Sequence, residues 1–372
     1  LSEPIAFVDL AAQRRRLGAG LDQAIARVLD HGIFILGPEV AELERQLAAY
    51  CGARHAVTCA NGTDALQLVL MAEDVGPGDA VFVPAFTFVA SAEVVALVGA
   101  TPVFVDVQPD SFNIDPESLR QAILDAPRLG LKPRVVMPVD LFGQPADYAA
   151  LAPLCAEHGL LLLADAAQSF GGRLHNRRVG TLGHYTATSF FPAKPLGCYG
   201  DGGAIFVDDD AKADLLRSLR FHGKGGDKYD NVRIGLNSRL DTLQAAILLQ
   251  KLAIFDEELA AREQVAQRYS AAFGAHAAPK LQNGAVSAWA QYTLVLPDRA
   301  RVMAACQAAG IPTGIYYPLP LHRQKGYAHY PAGPGGLAVS ERLASQVLSL
   351  PIHPYLAPET QDRIIQVVCQ AL

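Results

Sequence analysis

Between about residues 55 and 210 the chain alternates short apolar runs, many of them β-branched, with amphipathic segments of helical period. No other feature restricts its fold as strongly. The runs at 56–59, 80–83, 102–105, 134–138 and 160–164 read as strands. The segments at 63–73, 89–98 and 147–158 read as helices. The runs are apolar on both faces, as parallel strands covered by helices on each side must be. The expected fold class is α/β, with a mostly parallel central sheet. Residues 14–29 and 39–50 read as helices ahead of it, and 240–269 as one closing helix of about eight turns without proline or glycine. Periodicity then lapses near 271–290. After it come a strand at 292–296 and helices at 300–309, 340–347 and 358–371. The expected division is a large domain, 1–270, and a small C-terminal α+β domain, 271–372. The Pro- and Gly-rich stretch 317–336 reads as a loop of a length that often carries function.

Composition excludes several classes. A chain of 372 residues with 51% hydrophobic and 18% charged residues is neither disordered nor a coiled coil. A net charge of -6 offers no broad basic face, so no nucleic acid is expected as a partner. The longest apolar runs, such as 160–164, are too short to cross a membrane, and the start has no signal-peptide pattern. The cysteines at 51, 59, 155, 198, 306 and 369 lack paired short spacing. Neither a disulfide framework nor a metal site is expected, and a reducing cytoplasm fits.

Four segments carry chemistry. Asp165, in LLLLADAAQS, follows an apolar strand and so stands at a carboxyl edge, where open α/β sheets bind ligands. It reads either as a helix N-cap or as the partner of a protonated ring nitrogen, with Gln168 in reach of the same ring. Lys194, in TSFFPAKPLGCYGDGGAIFV, lies between prolines and glycines in apolar surroundings. A desolvated lysine there would be nucleophilic and able to form a Schiff base; the alternative is an incidental lysine in a glycine-rich turn. The glycines match neither the dinucleotide nor the ATP pattern. In CANGTDALQLVL a strand ends and a helix begins at Asn61-Gly62-Thr63, either an ordinary helix start or a phosphate cradle. Phe88 reads as a core residue or as a cover for a planar cofactor. A strand-end acid, a buried lysine and a phosphate cradle together fit pyridoxal phosphate (PLP).

The sequence resembles the DegT/DnrJ/EryC1/StrS family of sugar aminotransferases. The likeness runs through FVDLAAQ, ILGPEVAELE, ANGTDAL, PAFTFVASAE, PVDLFGQPAD, ADAAQSFG, SFFPAKPLGCYGDGGA, GLNSRLDTLQAAIL and LPIHPYL, in that order. It implies PLP-dependent fold type I, the aspartate aminotransferase-like fold, with pyridoxamine 5′-phosphate as the intermediate form of the cofactor. On it, Lys194 holds the cofactor and shuttles the proton. Asp165 meets the ring nitrogen, Gln168 the ring's phenolic oxygen, and Phe88 stacks on the ring. Gly62, Thr63 and Ser189 bind the phosphate, with Asn237 reaching it from the neighbouring subunit of a homodimer. The wording is most similar to the WbpE/WlbC type of 3-aminotransferase, which acts on UDP-2-acetamido-2-deoxy-3-oxo-glucuronate for lipopolysaccharide O-antigen. Arg239 then binds the uronate carboxylate, and Tyr316 and Tyr317 contact substrate. Tyr316 departs from that type, where a histidine is expected, and is not cationic near pH 7. L-Glutamate is the implied donor. A dTDP-3-keto-6-deoxyhexose is the alternative acceptor. A non-catalytic PLP-binding regulator and a sugar dehydratase are other classes, the second opposed by Lys194. Cys198 reads as a packing residue, and the basic segment 217–239, with Arg220, His222, Lys224, Lys228 and Arg233, as a solvated loop or a guide for a nucleotide diphosphate.

Overall fold

The structure, a computed structural model, describes residues 4–227, 229–274 and 277–372. Two helices lead in: α1 (Leu10–His31), whose N-cap Asp9 accepts the Ala12 N–H, and α2 (Pro38–Cys51). The α/β core follows as β1 (His55–Cys59), α3 (Gly62–Ala72), β2 (Asp79–Pro84), α4 (Ala90–Leu97), β3 (Thr101–Val105), α5 (Pro116–Asp125), β4 (Lys132–Val136), α6 (Tyr148–His158) and β5 (Leu161–Asp165). A short ribbon, β6 (Arg173–Leu174) and β7 (Arg177–Arg178), precedes β8 (Tyr185–Ser189) and β9 (Gly203–Val207). The central sheet has seven strands in the order β1-β9-β8-β5-β4-β2-β3, and only β9 runs against the others. The α/β expectation holds, and both faces are dry. Val81 and Val83 enter the core with α3, α4 and Leu163, while Ala80 and Phe82 enter the opposite one with α5, α6 and Leu162.

After β9 come α7 (Asp210–Leu219), α8 (Thr242–Leu252) and α9 (Phe255–Phe273). The single helix expected over 240–269 is therefore two. Ile254 leaves helical geometry (φ -111°, ψ 6°) and α9 restarts with Asp256, Glu257 and Glu258 in its first turn, where carboxylates meet free N–H groups. The break lets α8 pack on α1 and α2 while the end of α9 enters a separate core. That core joins β11 (Tyr292–Val295) and β12 (Val347–Leu350), an antiparallel pair, to α10 (Arg299–Ala308) and α12 (Pro358–Ala371). The remaining elements are β10 (Ala285–Val286), paired with β6, and α11 (Ala338–Gln346). The strand β12, α5 and α7 had no counterpart in the sequence reading. No described helix is long and apolar enough to cross a membrane.

Candidate active site

Asp165 ends β5, and Ser189 ends its parallel neighbour β8. Gly62 opens α3 directly after β1, and Phe88 follows β2. All lie beyond the carboxyl ends of parallel strands, where no strand continues to occupy the backbone.

Asp165 is 5% exposed. The Ser91 hydroxyl on α4 donates to its Oδ2 at 2.9 Å, and the Ala167 N–H to its Oδ1 at 3.2 Å. No helix begins there, so the N-cap reading falls. Burial pushes the carboxyl up; the Ser91 and Ala167 donors and the Lys194 charge draw it down. Burial in turn pushes the Lys194 ammonium down, opposed by Asp165. Both groups are thus desolvated and within electrostatic reach of each other. Lys194 sits on a tight turn in which its own N–H donates to the Phe191 carbonyl at 2.8 Å.

Gln168 is also buried. Its Oε1 accepts the Phe142 N–H at 2.6 Å, and the same side chain hydrogen-bonds the Tyr317 hydroxyl. Phe142 presents that N–H from left-handed backbone (φ 62°), unusual for a phenylalanine. Asn113 holds the segment: its amide nitrogen donates to the Gln144 and Pro145 carbonyls, both at 3.1 Å, and its Oδ1 accepts the Leu141 N–H at 3.0 Å. Phe88 is 54% exposed, with its ring 6.1 Å from that of Tyr317, which excludes the core reading. Tyr316 is half-buried beside Tyr317, ring to ring at 6.0 Å.

At the start of α3 the Asn61 side chain caps the Asp64 N–H at 2.8 Å. The N–H groups of Gly62 and Thr63 are left without a helical acceptor, as in every first turn. A Cβ on Gly62 would stand 2.7 Å from the Ser189 Cβ, so glycine is what lets the helix start meet the end of β8. Asn237 and Arg239 lie elsewhere. They line a cleft with Ile35, Asn61, Asp201 and Gln244. Arg239 donates to the Asn237 side chain and stacks 4.7 Å over Phe221. Among the described residues it forms no ion pair, with Asp241 or any other acid. Among the described residues no hydrogen bond joins this pair to Lys194 or Asp165.

Sequence reasoning missed Ser91, Asn113 and Asp140. Asp140 is fully buried, accepts from the Ser169 and Tyr148 hydroxyls at 2.7 and 2.8 Å, and is pushed up to about 7 by burial. Ser91 and Asp140 lie within quoted motifs and Asn113 within none, and only the fold brings each to its partners. The basic segment is not uniform. Arg220 is buried on Glu44 at 2.5 Å and the Thr58 carbonyl at 2.6 Å, so it serves the core and not a nucleotide. Arg233 donates to Ser218, and Lys224 lies over Phe221 at 5.4 Å. Lys228 lies outside the described residues. Cys198 is buried with its thiol on the Phe190 and Gly200 carbonyls at 3.0 and 3.1 Å, a packing residue. No cluster of metal ligands occurs among the described residues.

A buried acid, a desolvated lysine, an uncovered aromatic ring and a free helix start are the donor set that PLP requires. Residues 16–369 match the DegT/DnrJ/EryC1/StrS aminotransferase family. The chain belongs to this family. Across 99% of both chains it is 47% identical to the UDP-2-acetamido-2-deoxy-3-oxo-D-glucuronate aminotransferase of Pseudomonas aeruginosa. It is 41% identical to the dTDP-3-amino-3,4,6-trideoxy-alpha-D-glucose transaminase of Streptomyces venezuelae, over 98% of this chain and 95% of that one. Among solved structures, a DegT DnrJ EryC1 StrS aminotransferase from Brucella abortus superposes with a TM-score of 0.97 at 55% identity, over 98% of this chain and 99% of that one. S. venezuelae DesV in complex with a ketimine intermediate superposes with a TM-score of 0.92 at 39% identity, over 99% and 98%. As a member of the DegT/DnrJ/EryC1/StrS family the chain is a PLP-dependent aminotransferase of fold type I.

Proposed function

We propose that this chain is a ping-pong aminotransferase that moves the amino group of L-glutamate to C3 of UDP-2-acetamido-2-deoxy-3-oxo-glucuronate. The product would feed lipopolysaccharide O-antigen in the cytoplasm, and the working unit is a homodimer. The observation that carries the reading is buried Asp165 at the carboxyl edge of the sheet with partly buried Lys194 in its electrostatic reach. The full-length likeness to the P. aeruginosa enzyme supports the choice of sugar.

When bound, PLP supplies an aldehyde that takes up the amine and a ring that accepts the electrons released at the substrate carbon. The rest is work for this chain. Lys194, desolvated and weakened as a base-held cation, offers a neutral amine at its Nζ. That Nζ would take the proton from the donor's α-carbon and, in the second half-reaction, deliver one to the face of sugar C3. Asp165 keeps a proton on the ring nitrogen, and Ser91 keeps Asp165 pointed at it. Gln168 donates to the ring's phenolic oxygen, because Phe142 already occupies its carbonyl. Phe88 covers the ring. Gly62, Thr63 and Ser189 hold the phosphate, joined by Asn237 of the second copy.

Arg239 binds the uronate carboxylate and, in the other half-reaction, that of glutamate. Its guanidinium, which donates to Asn237 and stacks on Phe221, has no carboxylate partner among the described residues. Tyr316 and Tyr317 contact the sugar. Ile35 lines the Asn237–Arg239 cleft and, like its chain neighbours Ile33 and Phe34, is exposed, a surface suited to burial by a second copy.

The test runs the reaction backwards, because the keto sugar is unstable. UDP-2-acetamido-3-amino-glucuronate is added to PLP-loaded protein and the visible spectrum is recorded. Loss of the lysine-bound cofactor band fixes both the sugar and the amination position. An unchanged spectrum, beside a response to a dTDP-3-amino-6-deoxyhexose, transfers the assignment to that sugar class.

A further inference from the structure

Lys251, in the last turn of α8, is 1% exposed and is used by nothing described so far. Its Nζ donates to the Gly197 carbonyl at 2.5 Å and stands 4.2 Å from the centre of the Tyr199 ring. Among the described residues it forms no ion pair; Glu258 acts on it at longer range. Gly197 closes the turn that carries Lys194. A Cβ there would lie 2.5 Å from the Pro192 carbonyl oxygen and 2.6 Å from that of Phe191, the oxygen that also accepts the Lys194 N–H. The turn is shut without slack, and its closing carbonyl is gripped by an ammonium.

An ammonium is a costly choice for a fully buried position. Burial pushes it down to about 8, and a methionine of similar volume would escape that cost. A group retained against its own desolvation is expected to act on something. Among the described residues, the one backbone oxygen it hydrogen-bonds belongs to the Lys194 turn.

We propose that Lys251 is a positioning residue for Lys194: by holding the Gly197 carbonyl it fixes the turn so that the Lys194 Nζ stands where it can bond the cofactor's aldehyde. The inference rests on the reading of Lys194 as the residue that bonds PLP.

Full-length wild-type protein and Lys251→Met are stripped of cofactor and titrated with PLP and, separately, with pyridoxamine phosphate. The second ligand makes the same phosphate and ring contacts but has no aldehyde, so it does not report on Lys194. The expected result is about a tenfold loss of PLP affinity in Lys251→Met, the size of one lost charge-assisted hydrogen bond, with pyridoxamine phosphate binding nearly unchanged. The melting temperature of the stripped variant should be no lower than wild type. Equal losses for both ligands would make Lys251 a general structural residue and overturn the proposal, as would no loss for either. If Lys251→Met does not fold, Lys251→Arg, which keeps the charge but displaces its donors, is put through the same pair of titrations; an unchanged ratio overturns the proposal. If wild-type protein itself forms no lysine-bound absorbance with PLP, the reading of Lys194 fails, and the proposal with it.

Discussion

Asp165 and Asn237 are both polar residues assigned to the cofactor, and they stand in opposite surroundings. Asp165 is buried at a strand end, with a donor on each carboxyl oxygen and Lys194 in electrostatic reach. Asn237 is exposed; the side-chain partner it has is Arg239, and apolar Ile33, Phe34 and Ile35 stand uncovered nearby. The first region is finished by one chain: its charge is set by burial and by donors of the same subunit. The second has the right chemistry without enclosure. Charge chemistry needs a low dielectric, so the floor of the site must be built into the fold, whereas substrate recognition can wait for a second copy to cover it.

The largest test of the floor is Lys194→Ala, expected to abolish repeated turnover, a loss of about 10⁴-fold or more, with the fold intact by circular dichroism. The division of labour is broken or kept by a mixing experiment. Lys194→Ala and Asn237→Ala, each poorly active, are combined and allowed to exchange subunits. If Asn237 serves the partner's site, mixed dimers contain one site with both residues and activity returns. If it serves its own, no site is complete and activity stays low.

Arg239→Ala sharpens the comparison from the rim. Loss of one side of a charged pair predicts about a 100-fold fall in kcat/KM for the uronate, with PLP affinity unchanged. A wild-type value would point to an acceptor without a carboxylate. Ser91→Ala acts on the floor and is expected to cost about tenfold in kcat through Asp165, the worth of one hydrogen bond to a charged group. An unchanged kcat would mean that Ala167 alone orients the acid.

The smallest effect is on stability. Asp140 is pushed up to about 7 in the folded protein, above the ordinary carboxyl value of 3.8. The folded state therefore binds the proton more tightly than the unfolded one. Its contribution is fully present below about pH 4 and is lost as pH rises through 7. Melting curves between pH 5 and 8 should show this fall, and Asp140→Asn should flatten it. A slope that persists in the variant assigns it to another group.

Much of the fold was legible because it rests on local patterns. Strands buried on both faces advertise themselves as apolar runs, and the helices between them carry their own caps, as Asn61 does for α3. The break between α8 and α9 was not legible, because the helical period continues through Ala253 and Ile254; only the acidic trio at 256–258 hints at a restart. The short strand β12 escaped because it directly follows α11 without a turn signal. In the site, Asp165 and Lys194 could be found from their apolar flanks alone. Ser91, Asn113 and Lys251 could not, since each matters for what it touches 74, 28 and 54 residues away.

The sequence by itself determined the α/β class, the placing of an acid and a lysine at the edge of a buried sheet, and the family. The first two follow from hydrophobic period and from residue types at short spacing, the third from the resemblance of whole motifs to a known family. Only the tertiary structure decided which basic residue is core, as Arg220 is, which is left without an acid, as Arg239 is among the described residues, and which buried lysine grips the Gly197 carbonyl of the Lys194 turn. The charge and reach of a side chain depend on the dielectric and the donors around it, and those are brought together from distant segments only when the chain folds.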